Sequence, residues 1–222
     1  MAYGVFGEMR KVLAGIVLSV CGIVANAEQV TIAALGDSLT QGYGLMQQDG
    51  FVPQLQAWLT DNGADAVVIN AGVSGDTTAG GASRVAWTLT PDVDGMIVAL
   101  GGNDLLRGIA PEVSRSNLDK ILAASSQATV DVLLIGMQAP GNYGPEYKAT
   151  FDAIYPDLAE QYDALYEQNF FTGIAGETSD PAEMQSYMQD DGIHPNPEGV
   201  QQIVEVIGPR VLDLIDRIGI AN

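Results

Sequence analysis

Residues 30–44 read Val-Thr-Ile-Ala-Ala-Leu-Gly-Asp-Ser-Leu-Thr-Gln-Gly-Tyr-Gly. The apolar, partly β-branched run from Val30 to Leu35 stops at Gly36. A continuous apolar run that breaks at glycine suits a buried strand of a parallel sheet. Ligands of open α/β sheets bind just beyond the carboxyl ends of such strands. Asp37 and Ser38 therefore arrive at the edge where binding takes place. Ser38 has two readings from this stretch alone. It is a nucleophile, or it is an ordinary N-cap, a position serine favours.

The pattern repeats down the chain. Ala66 to Asn70 is a second strand, ending at Ala71-Gly72, and Asp94 to Leu100 a third, ending at Gly101-Gly102-Asn103-Asp104. Val130 to Met137 is a fourth. Between the strands, Phe51, Val52, Leu55, Trp58 and Leu59 recur at helical spacing. Helices are also read through Arg84 and Trp87, from Pro111 onward, and over Pro145 to Gln168. Phe170-Phe171 reads as a short fifth strand, and Glu183 to Gln189 as short helical or irregular chain. Asn196 caps a last helix with Pro197 at its first position. Its apolar face is Val200, Ile203, Val204, Ile207, Val211, Leu212, Ile215 and Ile218. Alternating strands and helices imply βαβ units, a parallel sheet and helices on both faces.

The first 27 residues read as a secretory signal. Arg10 and Lys11 are basic, Val12 to Val24 is apolar, and Ala25-Asn26-Ala27 suits cleavage. The apolar stretch is short for a membrane span. Met9 directly precedes the basic pair and is a candidate start. Cleavage after Ala27 leaves 195 of the 222 residues as one domain, residues 28–222, in the periplasm or outside the cell. Cys21 is the single cysteine; it lies in the apolar stretch and follows Val20, which does not suit a lipoprotein signal. The mature chain then has no thiol for a disulfide, a zinc site or a nucleophile. Losing Arg10, Lys11 and Glu8, a net +1, takes the formal charge from −19 to −20. That balance argues against nucleic acid and anionic membrane as partners.

His194 is the single histidine. It is the ordinary candidate for a neutral base near pH 7, and Asp191, three residues before it, suits the group that orients its other ring nitrogen. One histidine without cysteine makes a zinc site poor. Acyl transfer also needs donors aimed at an oxyanion. The Ser38 N–H, the Gly75 N–H and the Asn103 amide suit that work, and each has a plainer reading as a turn or a cap. Asp37, Asp76 and Asp104 flank these loops and read as caps and acceptors that hold them. The Gly-x-Ser-x-Gly elbow of α/β-hydrolases is missing from Gly-Asp-Ser-Leu-Thr.

Four blocks in order resemble the SGNH, or GDSL, hydrolases: Gly36-Asp37-Ser38-Leu39, Gly72-Val73-Ser74-Gly75-Asp76-Thr77, Gly101-Gly102-Asn103-Asp104 and Asp191-Gly192-Ile193-His194-Pro195. Asn70-Ala71, Leu106-Arg107-Gly108, Ala139-Pro140-Gly141-Asn142-Tyr143-Gly144, Tyr155-Pro156 and Met188-Gln189-Asp190-Asp191 are similar to the periplasmic thioesterase I group, known also as arylesterases and lysophospholipases. The resemblance implies a three-layer α/β/α sandwich with a flavodoxin-like parallel sheet of about five strands. It implies Ser38 as nucleophile, His194 as general base then acid, and Asp191 as its orienting group. Ser38, Gly75 and Asn103 would form the oxyanion hole, with Gly72 as the competing glycine. The substrate would be a small acyl ester or thioester, aryl, short- to medium-chain or lysophospholipid. Neither metal nor organic cofactor is implied. The expected protein has no stable membrane anchor and is a monomer, with weak self-association open. Leu105, Leu106, Ile109, Tyr143 and Tyr147 are candidates for an acyl groove, and equally for plain packing. A carbohydrate O-acetyl esterase is the alternative enzyme. It would want aromatic platforms, yet Trp58 and Trp87, both at helical positions, read as core. A non-catalytic binding protein on the same fold is the alternative outside enzymes.

Overall fold

The computed structural model describes residues 29–175 and 184–221, together with Met1 and Gly4. The expected signal stretch Arg10 to Ala27 and Glu183 lie outside these residues. Five strands form one all-parallel sheet: β1 (Val30–Gly36), β2 (Ala66–Gly72), β3 (Gly95–Ala99), β4 (Asp131–Ile135) and β5 (Leu165–Glu167). Their order is β2-β1-β3-β4-β5, the doubly wound arrangement expected for this alternation. β3 is buried along its whole length, as are Ile32 to Leu35 of β1. Both faces of these strands are covered, so their sequences are apolar without alternation.

Helices cover the two faces. The short α1 (Ser38–Gln41) follows β1 directly. α2 (Phe51–Asp61) packs on one face of the sheet, joined later by the long C-terminal helix. α3 (Thr78–Thr88) and α5 (Pro111–Gln127) pack against each other on the opposite face, and α4 (Gly102–Leu106) is one turn beyond β3. α6 (Pro145–Asp152), α7 (Ile154–Tyr162) and α8 (Thr172–Ala175) follow, and α9 (Pro197–Ala221) closes the chain. Asn196 caps α9 through its side-chain oxygen, which accepts the Gly199 N–H at 2.9 Å.

Five expectations need correction. The single helix expected over Pro145 to Gln168 is two helices followed by a strand. Pro156 has no N–H for the carbonyl of Asp152, so the helix breaks at Ala153. Asp163 turns left-handed, with φ at 51°, and ends α7. The fifth strand is therefore Leu165–Glu167, and Phe170 is a core side chain instead. On α9 it is Leu214 that reaches the core fully, while Leu212 and Ile215 pack at its edge. Val113 on α5 is exposed, and Ser114 and Asn117 take buried positions there. Trp58 packs against the core edge, whereas Trp87 stands 85% exposed.

Register places the functional loops. Gly36 of β1 pairs with Gly72 of β2 and with Ala99 of β3; Ala99 pairs with Ile135, and Ile135 with Glu167. The carboxyl ends of all five strands thus form one row. Gly72 allows α1 to fold back over this row, since a Cβ there would lie 2.4 Å from the Gln41 nitrogen.

Candidate active site

Ser38 is the first residue of α1. Its cap is not its own side chain but that of Asp37, whose Oδ1 accepts the Leu39 N–H at 3.0 Å. The N-cap reading of Ser38 is thereby replaced: its hydroxyl is left for another partner. That partner is His194, whose Nε2 lies 2.8 Å from Ser38 Oγ across 156 residues of sequence. On the other side of the ring, Nδ1 lies 2.6 Å from Asp191 Oδ2. An ionised carboxylate only accepts, so Nδ1 carries the proton and Nε2 presents its lone pair to the Ser38 hydroxyl.

The acid–base loop is built by the same carboxylate that orients the ring. Asp191 Oδ1 accepts the backbone N–H groups of Ile193 at 2.9 Å and His194 at 3.0 Å. These bonds, led by the His194 N–H and followed by its ring, pull the Asp191 carboxyl down to about 2. Gln189 straps the loop: its backbone N–H donates to His194 O at 2.8 Å, and its side-chain amide donates to Tyr43 O and Pro195 O, each at 2.9 Å. The Tyr43 ring packs against the imidazole, centroids 4.7 Å apart.

The other candidate donors converge on the same cavity. Ser38, Gly75, Asn103 and His194 all line a space of about 860 Å³. Gly75 has φ at +84°, a left-handed conformation that glycine adopts without strain. Gly72, the competing glycine, does not line this cavity, and its N–H is taken by Asn70 Oδ1 at 2.9 Å. Asn103 donates from Nδ2 to Asp37 Oδ2 at 3.2 Å. Asp37 is buried. That burial pushes its carboxyl up to about 6, against the pull of the Leu39 and Asn103 hydrogen bonds.

The expectation that Asp76 and Asp104 hold loops is met in detail. Asp104 is fully buried and accepts the Thr78 N–H and hydroxyl and the Ser114 hydroxyl, at 2.6 to 2.8 Å. It ties the start of α3 to α4 and α5. Asp76 pairs with Arg84 Nε at 2.7 Å. Arg84 also donates to Ala71 O at 2.7 Å and to Gly36 O at 2.8 Å, clamping the ends of β1 and β2 beneath the site. Arg107 donates to Gly75 O at 2.8 Å. The roles of Tyr43, Arg84 and Arg107 escape the sequence reading. For the two arginines the one visible signal is scarcity, because the chain has 9 lysines and arginines against 28 acidic residues.

Of the five groove candidates, Leu105, Leu106 and Tyr143 line the cavity. Ile109 and Tyr147 do not. The Tyr147 hydroxyl donates to Ile109 O at 2.7 Å, and its ring packs between Tyr143 and Phe151. Outside those five candidates, Met137, Ala139, Phe171, Ala175 and Met184 add apolar lining to the cavity. Neither tryptophan lines it. Among the described residues no three His, Cys, Asp or Glu side chains gather as a metal site, and no helix is long and apolar enough to cross a membrane.

A serine, a histidine and a carboxylate in hydrogen-bonded series, above a doubly wound sheet, define the class of serine hydrolases, and the Gly75 and Asn103 loops on the same cavity fit the SGNH type. Residues 34–202 match the GDSL-like Lipase/Acylhydrolase family, and the chain belongs to it. It is an ester hydrolase of this family. The chain is 35% identical over 208 residues to "Esterase TesA" of Pseudomonas aeruginosa, which covers 93% of this chain and 100% of that protein. It is 32% identical over 188 residues to "Thioesterase 1/protease 1/lysophospholipase L1" of Escherichia coli K12, covering 84% and 85% of the two. Among solved structures, the SGNH-hydrolase family esterase AlinE4 shares 41% identity at a TM-score of 0.68, covering 84% of this chain and 96% of that one.

Proposed function

We propose that Ser38, His194 and Asp191 form the catalytic triad of an exported acyl esterase. The observation that carries this is the 2.8 Å contact between His194 Nε2 and Ser38 Oγ, with Asp191 on the far ring nitrogen. Ser38 Oγ attacks the substrate carbonyl as its proton passes to His194 Nε2. The tetrahedral oxyanion is held by the N–H groups of Ser38 and Gly75 and by Asn103 Nδ2. His194 then returns the proton to the leaving alcohol or thiol, and the acyl group stays on Ser38. Water, deprotonated by the same nitrogen, releases the acid and frees the serine.

The substrates are acyl esters of aryl, short- to medium-chain and lysophospholipid type, with thioesters included. A cavity of about 860 Å³ lies high in the range of roughly 300–1,000 Å³ usual for small-molecule sites. Its apolar lining, with Leu105, Leu106, Met137 and Phe171, suits an acyl chain better than a sugar. The names of the relatives point the same way. Export rests on the signal stretch, with cleavage after Ala27 delivering a soluble enzyme to the periplasm or beyond.

Turnover of an aryl ester by Ser38→Ala and by His194→Ala tests the triad. Each should lose several orders of magnitude in kcat. Near-normal hydrolysis by Ser38→Ala sinks the proposal. Failure of folded wild-type protein to label with a fluorophosphonate would revive a purely binding role. A rate profile across acyl lengths, set beside acetylated xylan, decides the substrate class.

A further inference from the structure

Asp37 sits at the centre of the site, yet acyl transfer leaves it without a role as acid, base or nucleophile. It is 1% exposed, and both its oxygens are engaged. Oδ1 accepts the Leu39 N–H and Oδ2 accepts Asn103 Nδ2. The second bond bears on catalysis through the shape of an amide. An asparagine presents N–H₂ and C=O ends of nearly equal size, and only its surroundings decide which end points where. At an oxyanion that choice is decisive. The N–H₂ end attracts developing negative charge, and the C=O end repels it.

An ionised carboxylate has no proton to give, so the end of Asn103 that faces it is Nδ2. That nitrogen keeps a second N–H for the cavity it shares with Ser38. We propose that Asp37 is a positioning residue that fixes the polarity of the Asn103 amide, keeping a donor turned toward the oxyanion. This rests on the reading of Asn103 as an oxyanion donor. The backbone beneath Asn103 is held separately. Its neighbour Asp104 is anchored by Thr78 and Ser114, so the side-chain orientation is what remains for Asp37 to set.

Burial works against the carboxylate form of Asp37, and the donors around it work for that form. Burial raises its carboxyl to about 6; His194 and the Leu39 and Asn103 donors lower it, and Asp104 repels it. Above that pH it accepts from both neighbours. Arg84 holds Gly36 O, just before it, and Tyr155 donates to Leu100 O.

Asp37→Asn is the test. The new side chain has one oxygen for two donors. If it keeps the Leu39 N–H, its own N–H₂ faces Asn103 and selects the carbonyl end, turning the amide over. We expect kcat on an aryl ester to fall roughly 10²- to 10³-fold, the usual cost of one oxyanion donor, with KM little changed. Asn103→Ala should fall as far. The double variant should fall no further than Asn103→Ala alone, because an absent amide has no polarity to set. Asp37→Ser keeps an oxygen for Leu39 but cannot reach Asn103, and should fall between wild type and Asp37→Asn. If Asn103→Ala keeps wild-type kcat, the oxyanion reading fails and this inference with it. If Asn103→Ala is crippled while Asp37→Asn is not, this inference alone fails. It is overturned equally if the two losses multiply in the double variant, since Asp37 would then act through the scaffold. Should Asp37→Asn not fold, Asp37→Ser with Asn103→Ala runs the same cycle.

Discussion

Two aspartates serve one site, and their surroundings push them in opposite directions. Asp37 is buried at the end of β1, and desolvation lifts its carboxyl to about 6. Asp191 stands on a surface loop, and three hydrogen bonds bring its carboxyl to about 2. The difference marks two ways of building half a site. The Ser38 and Asn103 half hangs from the sheet, with its strands buried and its ends clamped by Arg84 and Asp104. The His194 half has no strand beneath it. It is held by short bonds within residues 186–196 and by one strap to Tyr43. Core packing fixes the first half, and local polar geometry fixes the second.

The sharpest break in that contrast is Asp191→Asn. The substitution keeps the size but offers one oxygen where three N–H groups are served by two. It also lets an N–H face Nδ1, which favours the wrong tautomer for accepting the Ser38 proton. We expect kcat to fall roughly 10³- to 10⁴-fold with folding retained. Steady-state kinetics beside a circular dichroism spectrum measures this. A loss of only a few-fold would show that the loop orients His194 without its carboxylate.

The same two residues should leave opposite marks on stability against pH. The folded carboxyl of Asp191 lies below its unfolded value of 3.8. Its contribution is therefore present above about 4 and is lost as pH falls toward 2. The folded carboxyl of Asp37 lies above 3.8, so the folded state keeps a proton that the unfolded chain has already released. Its effect is to lower stability as pH rises from about 4 to about 6. Urea unfolding of wild type, Asp37→Asn and Asp191→Asn across pH 2 to 7 separates the two. Relative to wild type, Asp37→Asn should gain as pH rises through 4 to 6, and the deficit of Asp191→Asn should shrink as pH falls toward 2. A pH-independent difference for either variant would contradict its assigned shift.

Arg84→Met probes the clamp of the sheet half. It removes charged hydrogen bonds to Gly36 O, Ala71 O and Asp76, the kind that contribute about 1.5–3 kcal/mol each at most. Arg84 keeps partial exposure and Gly36 O keeps the Val73 N–H, so about 2 kcal/mol of global stability is the expected loss. The melting temperature and kcat should fall together. An unchanged melting temperature would mean that the core alone fixes the strand ends.

Much of this was legible because glycine-bounded apolar runs mark strand ends, and parallel strands deliver their loops to one edge. Ser38, Gly75 and Asn103 could be placed that way without distances. His194 could be singled out because no other histidine exists. β5 was not legible, being three half-buried residues, Leu-Tyr-Glu, after a helical pattern. The break before it depends on one missing N–H at Pro156. Arg84 and Tyr43 were hidden for a different reason. Arg84 meets Gly36 O across 48 residues, and Tyr43, just after α1, meets His194, just before the last helix, so spacing carries no trace of either. Ile109 and Tyr147 fit the cavity by residue type, but neither lines it, and the Tyr147 hydroxyl is committed to Ile109 O and its ring to Tyr143 and Phe151.

Gln189→Ala gives the smallest and most selective test of the two-halves contrast. The side chain bonds Tyr43 O and Pro195 O at the surface, where each such bond contributes about 1 kcal/mol or less. The backbone bond from Gln189 N to His194 O survives the substitution, as does the Met188–Pro195 bridge. Global stability should therefore stay within about 1 kcal/mol of wild type. The strap to Tyr43 is lost, and with it the packing of that ring on the imidazole loosens, so kcat should fall several-fold. If the sheet half and the loop half are held by different forces, this variant loses rate without melting temperature, while Arg84→Met loses both. A fall in melting temperature as large as that of Arg84→Met would mean that the loop is part of the same cooperative unit as the sheet.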